Sequence, residues 1–560
     1  MSKSSTSVSW FFSLILIAAG LVLAWWAFSL MEERAHLPPP TVLSRVSRTS
    51  FSTPASTSAA AYRTLSIAND VPSILCTAVT AWVNARPDVH VTDIDHKATL
   101  RLDDQQDEQA WLVYERFYVP VMRFPTLIAE VHTSTLQALW AGQPSADFTA
   151  LLVDRDAMKD MWALWGPPGL AVRVLRNDEI VHALWADPYA LGLVPFDKLR
   201  PDLQALAIAD NRITDNRFQA DTWPLVRRVW LHGRDSALAI ALQHWLTDTI
   251  SLTNRDPQKL TVLIMTGVTA MARHTAWQME QRKDYAYPAH QVAPELRAAD
   301  ITHVSNEVPF VPGCPVLLKG LKFCSRPEYL AALEEIGTDI VGLTGNHQND
   351  FGYAANLRSL AFYREHGLRY YGGGANQAEA LAPLMYTHHG TTFAFLGANQ
   401  PGPTDAWADE KNPGSARYDL EALKQAIANA RAAGADVVSV ELQWTEAYQT
   451  EPLPDQETDF QALSAAGADI VTGVQAHQPQ AIAFGARGGI ILYGLGNFFF
   501  DQMWSPYTRQ GLVARHTFYA GRHIHTELLP TILENYAQPR WATPEERQAV
   551  LAEVFAASGW

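Results

Sequence analysis

The strongest constraint on the fold is a pattern repeated seven times in the second half of the chain: a short apolar run that ends in a polar cluster. L-T-V-L-I-M ends at T-G-V-T-A-M-A-R (Thr266–Arg273), A-D-I-T-H-V at S-N-E-V-P-F (Ser305–Phe310), and T-D-I-V-G-L at T-G-N-H-Q-N-D-F-G (Thr344–Gly352). T-T-F-A-F-L ends at G-A-N-Q-P-G (Gly397–Gly402), A-D-V-V-S-V at E-L-Q-W-T-E-A-Y (Glu441–Tyr448), A-D-I-V-T-G at V-Q-A-H-Q-P-Q (Val474–Gln480), and G-I-I-L-Y-G at L-G-N-F-F-F-D-Q (Leu495–Gln502). Helical stretches such as R-P-E-Y-L-A-A-L-E-E-I-G lie between them. Strands alternating with helices build an α/β layer, and there the carboxyl ends of the strands converge on one edge. The clusters are therefore expected to meet in one pocket.

The residues in those clusters suggest chemistry. His347, after Asn346 in a strand-end turn, is placed to move a proton, or else to cap the next helix. Glu307 and Glu446, on separate strand ends, could act as a carboxylate pair for acid/base work or form surface salt bridges. Asp350 with Gly352 is expected to shape the turn and cap a helix. His477 is either a ligand or a hydrogen-bond partner of Gln443, and Asn497 with Phe498 is expected to fix the pocket floor.

Other features bound the function class. The net charge of −15 argues against a nucleic-acid partner and against adsorption to anionic lipid. Residues Trp10 to Leu30 form 21 residues without a charge, long enough to span a bilayer. Lys3 precedes this run, no small-x-small cleavage site of good quality follows it, and it reads as an uncleaved single anchor with the bulk of the chain outside the cell membrane. Residues 35–61 are rich in Pro, Ser, Thr and Ala, a linker composition. Cys314 and Cys324 bound a short loop that an oxidising compartment would allow to close, with two free thiols as the alternative. The expected organisation is a tip and anchor at 1–34, the linker, an α/β domain at 62–258 and a second α/β domain at 259–560, divided at the polar stretch T-N-R-D-P-Q-K (Thr253–Lys259).

In the first domain R-T-L-S-I-A-N-D, a helical run with Asp70 expected as its N-cap and V-H-V-T-D-I-D suggest β-α-β. Y-V-P-V-M-R-F-P-T-L (Tyr118–Leu127), T-S-T-L-Q-A-L-W-A-G (Thr133–Gly142), A-L-G-L-V-P-F-D-K-L (Ala190–Leu199) and W-P-L-V-R-R-V-W-L (Trp223–Leu231) together resemble type 2 periplasmic solute-binding proteins. G-P-P-G (Gly166–Gly169) reads as a simple turn rather than a phosphate cradle.

In the second domain T-G-N-H-Q-N-D-F-G, G-G-G-A-N-Q-A-E-A (Gly372–Ala380), Q-W-T-E-A-Y, G-V-Q-A-H and Y-G-L-G-N-F resemble, in order, the CapA family of poly-γ-glutamate capsule proteins, a branch of the calcineurin-like metallophosphoesterases. The resemblance implies a metallophosphoesterase-like α/β sandwich and an anionic cell-surface polymer or small anionic ligand. Such enzymes hold two divalent cations, but where the family carries an Asp this chain has Val268, and where it carries His this chain has Gln443 and Gln475. The resemblance thus leaves room for one divalent cation on Glu307, Asn346 and His477, not for a full pair. Two readings stand open: a hydrolase in which His347 is the general acid/base with Glu307 and Glu446, and a non-catalytic binding protein for a polymer or small anion.

Overall fold

The structure, a computed structural model, describes residues 62–560. The anchor and linker readings of residues 1–61 lie outside the described residues. Among the described residues no helix is long and apolar enough to cross a membrane.

The first sheet is built around one long strand, Trp111–Arg123. Its first half pairs with Val226–Gly233 and its second half with Ala190–Pro195, so the same strand runs through both wings of the sheet. One wing carries Arg63–Ile67, parallel to both Val89–Val91 and Leu100–Asp103. The other carries Ala150–Val153 between Val172–Val174 and Ala190–Pro195, again parallel. The helix Ser73–Asn84 joins the first two strands because Leu75, Val79, Trp82 and Val83 fall on one face, which is buried. Asp70 does not cap it: Pro72 holds the cap position, and the Asp70 carboxylate instead pairs with the buried guanidinium of Arg227.

The second half forms two facing sheets. One runs Arg369–Tyr371, Ile340–Gly342, Ile301–Asn306, Leu260–Thr269, Gln510–Tyr519, Arg522–Glu534 and Gln538–Trp541. The other runs Leu384–His388, Thr391–Asn399, Val437–Ala447, Ile470–Ala476, Ile490–Leu492 and Ile482–Phe484. Period-two alternation explains the layering. Leu263 and Met265 turn inward to meet Phe393, Phe395, Val437 and Ile470 between the sheets. Ile264 turns outward against Leu296 and Leu333 on the covering helices, and Val438 and Val440 do the same on the other side with Ile427 and Phe460. Both faces of these strands are covered, so the sequence reads as continuous apolar runs. Each such side chain contributes about 1.5–3 kcal/mol on burial.

Residues Tyr62–Trp560 form one compact unit. The seam between its halves is apolar, with Leu260, Val262, Tyr519 and Ile524 packed in the same cluster as Phe117, Phe196 and Leu225. Beside it Arg515, only 2% exposed, meets the carboxylates of Glu527 at 3.0 Å and Asp215 at 3.7 Å and pairs with Glu295. Cys314 and Cys324 are disulfide-bonded, with Cα atoms 6.0 Å apart, and Cys76 is free.

Candidate functional site

The strands Ile301–Asn306, Ile340–Gly342, Val437–Ala447 and Ile470–Ala476 bring Glu307, Asn346, His347, Asp350, Gln443, Glu446, Gln475 and His477 to their carboxyl-end side, and the loop after Ile490–Leu492 adds Asn497. Two glycines allow the approach. A Cβ on Gly345 would lie 2.3 Å from Glu307 Cα, so the T-G-N-H turn can cross Glu307 only without a side chain there. A Cβ on Gly267 would lie 2.1 Å from the Gly496 carbonyl oxygen, where the strand Leu260–Thr269 meets the loop bearing Asn497.

On one side of the site His347 Nδ1 lies 2.7 Å from Asp350 Oδ2 and its ring packs on Phe323 at 4.3 Å. Burial opposes a charge on His347, but the Asp350 hydrogen bond and the Glu307 carboxylate outweigh it, and its pKa is raised. Glu307 is 3% exposed, and burial pushes its carboxyl up to about 7 against the pull of His347 and Arg273. Its Oε2 has no hydrogen-bond partner. Asp350 does not cap a helix: it accepts the Phe323 N–H at 2.6 Å, and Gly352 is the N-cap of Tyr353–Glu365 with no side-chain bond.

The middle of the site is an amide network. Gln443 Nε2 donates to Asn346 Oδ1 at 3.0 Å and to Gln475 Oε1 at 2.7 Å, while Gln443 Oε1 accepts from Asn399. Gln475 holds this place with φ at 83°, a left-handed conformation costing about 1–3 kcal/mol for a non-glycine residue. Val268 lies in an apolar floor with Val308, Phe323, Val474 and Phe500. On the far side His477 Nδ1 donates to Asn497 Oδ1 at 2.8 Å rather than bonding Gln443, and Asn497 Nδ2 returns a bond to the His477 carbonyl at 3.1 Å. Burial lowers the His477 pKa. Glu446, half exposed, lies 3.8 Å from His477 Nε2 and accepts the Tyr448 hydroxyl proton, so it faces His477 and Tyr448 rather than pairing with Glu307.

The sequence reading missed the group that bridges these sides. Arg273 pairs with Asp501, and its guanidinium lies over Phe323 at 4.6 Å and Phe500 at 5.3 Å. Phe500 stacks on His477 at 5.1 Å, and His477 on Tyr448 at 5.5 Å. The one signal for Arg273 was a basic residue closing the first polar cluster; the aromatic partners come from loops with no periodicity. Among the described residues no three His, Cys, Asp or Glu side chains group as a metal site.

The family match falls on this half of the chain. Residues 262–502 match the family described as bacterial capsule synthesis protein PGA_cap. These residues belong to the PGA_cap family. Within the curated proteins the chain is similar to the capsule biosynthesis protein CapA of Bacillus anthracis, 30% identical over 276 residues that make up 47% of this chain and 65% of the relative. It is also similar to the PGA biosynthesis protein CapA of Bacillus subtilis, 28% identical over 228 residues, 40% of this chain and 60% of the relative. The chain therefore spans less than two thirds of either relative. Of solved structures, a phosphatase from Mycoplasma pneumoniae matches 49% of the chain and 94% of its own at 11% identity and a TM-score of 0.34. An ABC-type phosphate transport receptor from Vibrio cholerae matches 32% and 93% at 13% identity and a TM-score of 0.27. All nine of the site residues expected from the sequence lie inside the PGA_cap region, as do Arg273 and Asp501, whereas the first sheet lies wholly outside it.

Proposed function

We propose that this protein takes part in the synthesis, export or processing of poly-γ-glutamate or a related anionic cell-surface polymer, at the outer face of the cell membrane. The family of residues 262–502 and the names of the two Bacillus relatives support that assignment. The proposed chemistry is proton transfer on an amide or ester of the polymer, within a metallophosphoesterase-like sandwich that works without the metal pair of its superfamily. The supporting observation is the His347–Asp350 pair beside the buried Glu307 carboxyl.

The donor set does not fit two divalent cations. The Gln443 amide N–H already occupies the oxygens of Asn346 and Gln475, and Val268 puts an apolar side chain where the family carries a carboxylate. No step is routed through a metal. Asp350 fixes the His347 ring by its Nδ1, which leaves Nε2 for the substrate. In hydrolysis Glu307 takes a proton from water as the water oxygen bonds the acyl carbon, and His347 Nε2 gives a proton to the leaving amine or alcohol as its bond to that carbon breaks. Glu446 orients the amide, and Arg273 offers positive charge to a carboxylate of the polymer. In a strain lacking this gene, the native chain should restore polymer output and His347→Ala should not. Equal restoration by both would sink the catalytic reading.

The amide network favours a second reading, in which the site binds polymer without acting on it. Under that reading His347→Ala preserves output, and Gln443→Leu, which removes the hub of the network, weakens polymer binding.

A further inference from the structure

The loop closed by the Cys314–Cys324 disulfide has a surface unlike the rest of this acidic chain. Its sequence, C-P-V-L-L-K-G-L-K-F-C, presents Leu317 at 54%, Leu318 at 41% and Leu321 at 81% exposure, close to Lys319 and Lys322. The net charge of −15 argues against adsorption of the chain as a whole to anionic lipid, but no acidic residue lies between Glu307 and Glu328, so this segment is locally basic. Bare leucines cost free energy in water and need a partner. We propose that this loop docks on a lipid bilayer that carries anionic headgroups, with the leucines among the acyl chains and both lysines at the phosphates.

The chemistry of the patch selects that occupant. A soluble polyanion would be met by the lysines alone and gives no reason to expose three leucines. A hydrocarbon phase accepts leucine side chains without a shaped groove, and lysine stems extend along apolar surface so that their ammonium groups stay in the headgroup layer. The disulfide fixes the ends of the loop, so little conformational freedom is lost on insertion. Gly313 and Gly320, with φ of 70° and 125°, provide the turns that push the leucines outward.

Docking would also position the site. Phe323, next to Lys322, packs on the His347 ring at 4.3 Å and donates its N–H to Asp350 at 2.6 Å. A docked loop thus brings the proton-transfer pair to the lipid surface. This deepens the reading given above, because it assigns the same site a place of work, but it depends on lipid contact alone.

The test is photocrosslinking of the full chain in vesicles of phosphatidylcholine containing phosphatidylglycerol. The substitution Leu321→p-benzoylphenylalanine is compared with the same substitution at Ile240, a singly exposed position on the helix Ser236–Thr249. Adducts are read by mass. Lipid adducts at 321 should exceed those at 240 by ~5-fold or more, and should fall by about fivefold or more for each lysine reversed in Lys319→Glu and Lys322→Glu. No excess at 321, adducts to polymer or to the chain itself, or a yield untouched by the lysine reversals would each overturn the proposal. Absence of an excess at 321 in the otherwise native chain, with polymer output intact, would remove this inference and leave the proposed function standing; the reverse result would do the opposite.

Discussion

Glu307 and Glu441 are both buried carboxyls, and burial pushes each up to about 7, yet they sit in two different kinds of surroundings. Glu441 is enclosed between the sheets. Its Oε1 accepts from Ser305 at 3.2 Å and Thr344 at 2.8 Å, and a Cβ on Gly342 would lie 2.3 Å from the same oxygen. Its neighbour His303, pushed down to about 3 by burial, is neutral, and its Nε2 shares a hydrogen bond with the Tyr371 hydroxyl at 2.9 Å. Glu307 shares its strand region with Ser305 but stands at the strand end, with His347 and Arg273 acting on its charge. The raised carboxyl is common to both, so it does not distinguish a working site from a core. What distinguishes them is a neighbouring group able to carry a proton or a positive charge.

The largest expected effect separates the two regions outright. His347→Ala should lower polymer-forming activity by about 100-fold or more while moving the melting temperature little. Glu441→Ala should leave the activity of the surviving folded protein intact and cost about 3 kcal/mol of stability, since it strands the Ser305 and Thr344 hydroxyls around a cavity. Activity loss in Glu441→Ala at unchanged stability would erase the contrast.

The pH dependence sharpens it. Both carboxyls keep their protons in the folded chain to about pH 7, against 4.5 for the ordinary group. The contribution of these two carboxyls to stability should therefore fall as pH rises from about 4.5 to 7, opposite in sign to that of the buried histidines, and Glu441→Gln should remove up to about 3 kcal/mol of that fall. On the acid side burial lowers the pKa of His516, His523 and His525. Their contribution should be complete above about pH 6.5 and be lost as pH drops below it, because the unfolded imidazoles then take up protons first. Denaturant titrations from pH 4 to 8 read both arms.

Smaller effects probe the edges of the site. Val268→Asp with Gln443→His and Gln475→His should raise affinity for manganese or zinc by about tenfold or more, read by calorimetry. Unchanged affinity would mean that the geometry, not the ligand set, excludes the metal. Tyr448→Phe, which removes the hydroxyl bonded to Glu446 but keeps the ring on His477, should change stability by about 0.5–1 kcal/mol at most.

The convergence of the strand-end clusters was legible in the sequence because parallel strands in one layer must end together. That is why Asn346, His347, Gln443, Gln475 and His477 could be grouped across so much chain. Glu441 was not legible: a charged residue after A-D-V-V-S-V looks like the end of a strand, whereas the strand continues to Ala447 and the carboxyl lies in its middle. Arg273 and Phe500 escaped because their roles depend on a guanidinium lying over rings from separate loops, and nothing local records that. Asp70 and Asp350 resembled helix caps by residue type, but Asp70 pairs with Arg227 far along the chain, and Asp350 bonds the His347 ring three residues before it and the Phe323 N–H. The disulfide needed only ten residues of separation and a fixed geometry, which the loop supplies.

The apolar seam has a consequence for inheritance. Leu260, Val262, Tyr519 and Ile524 lie on strands of the second half and pack into the core of the first sheet. Neither half can be exchanged for another without refitting those four side chains. A relative that carries the same second half alone would turn these positions toward water, and polar residues are expected there. The four positions thus act as a written record, readable in any aligned set of relatives, of whether a first sheet was ever attached.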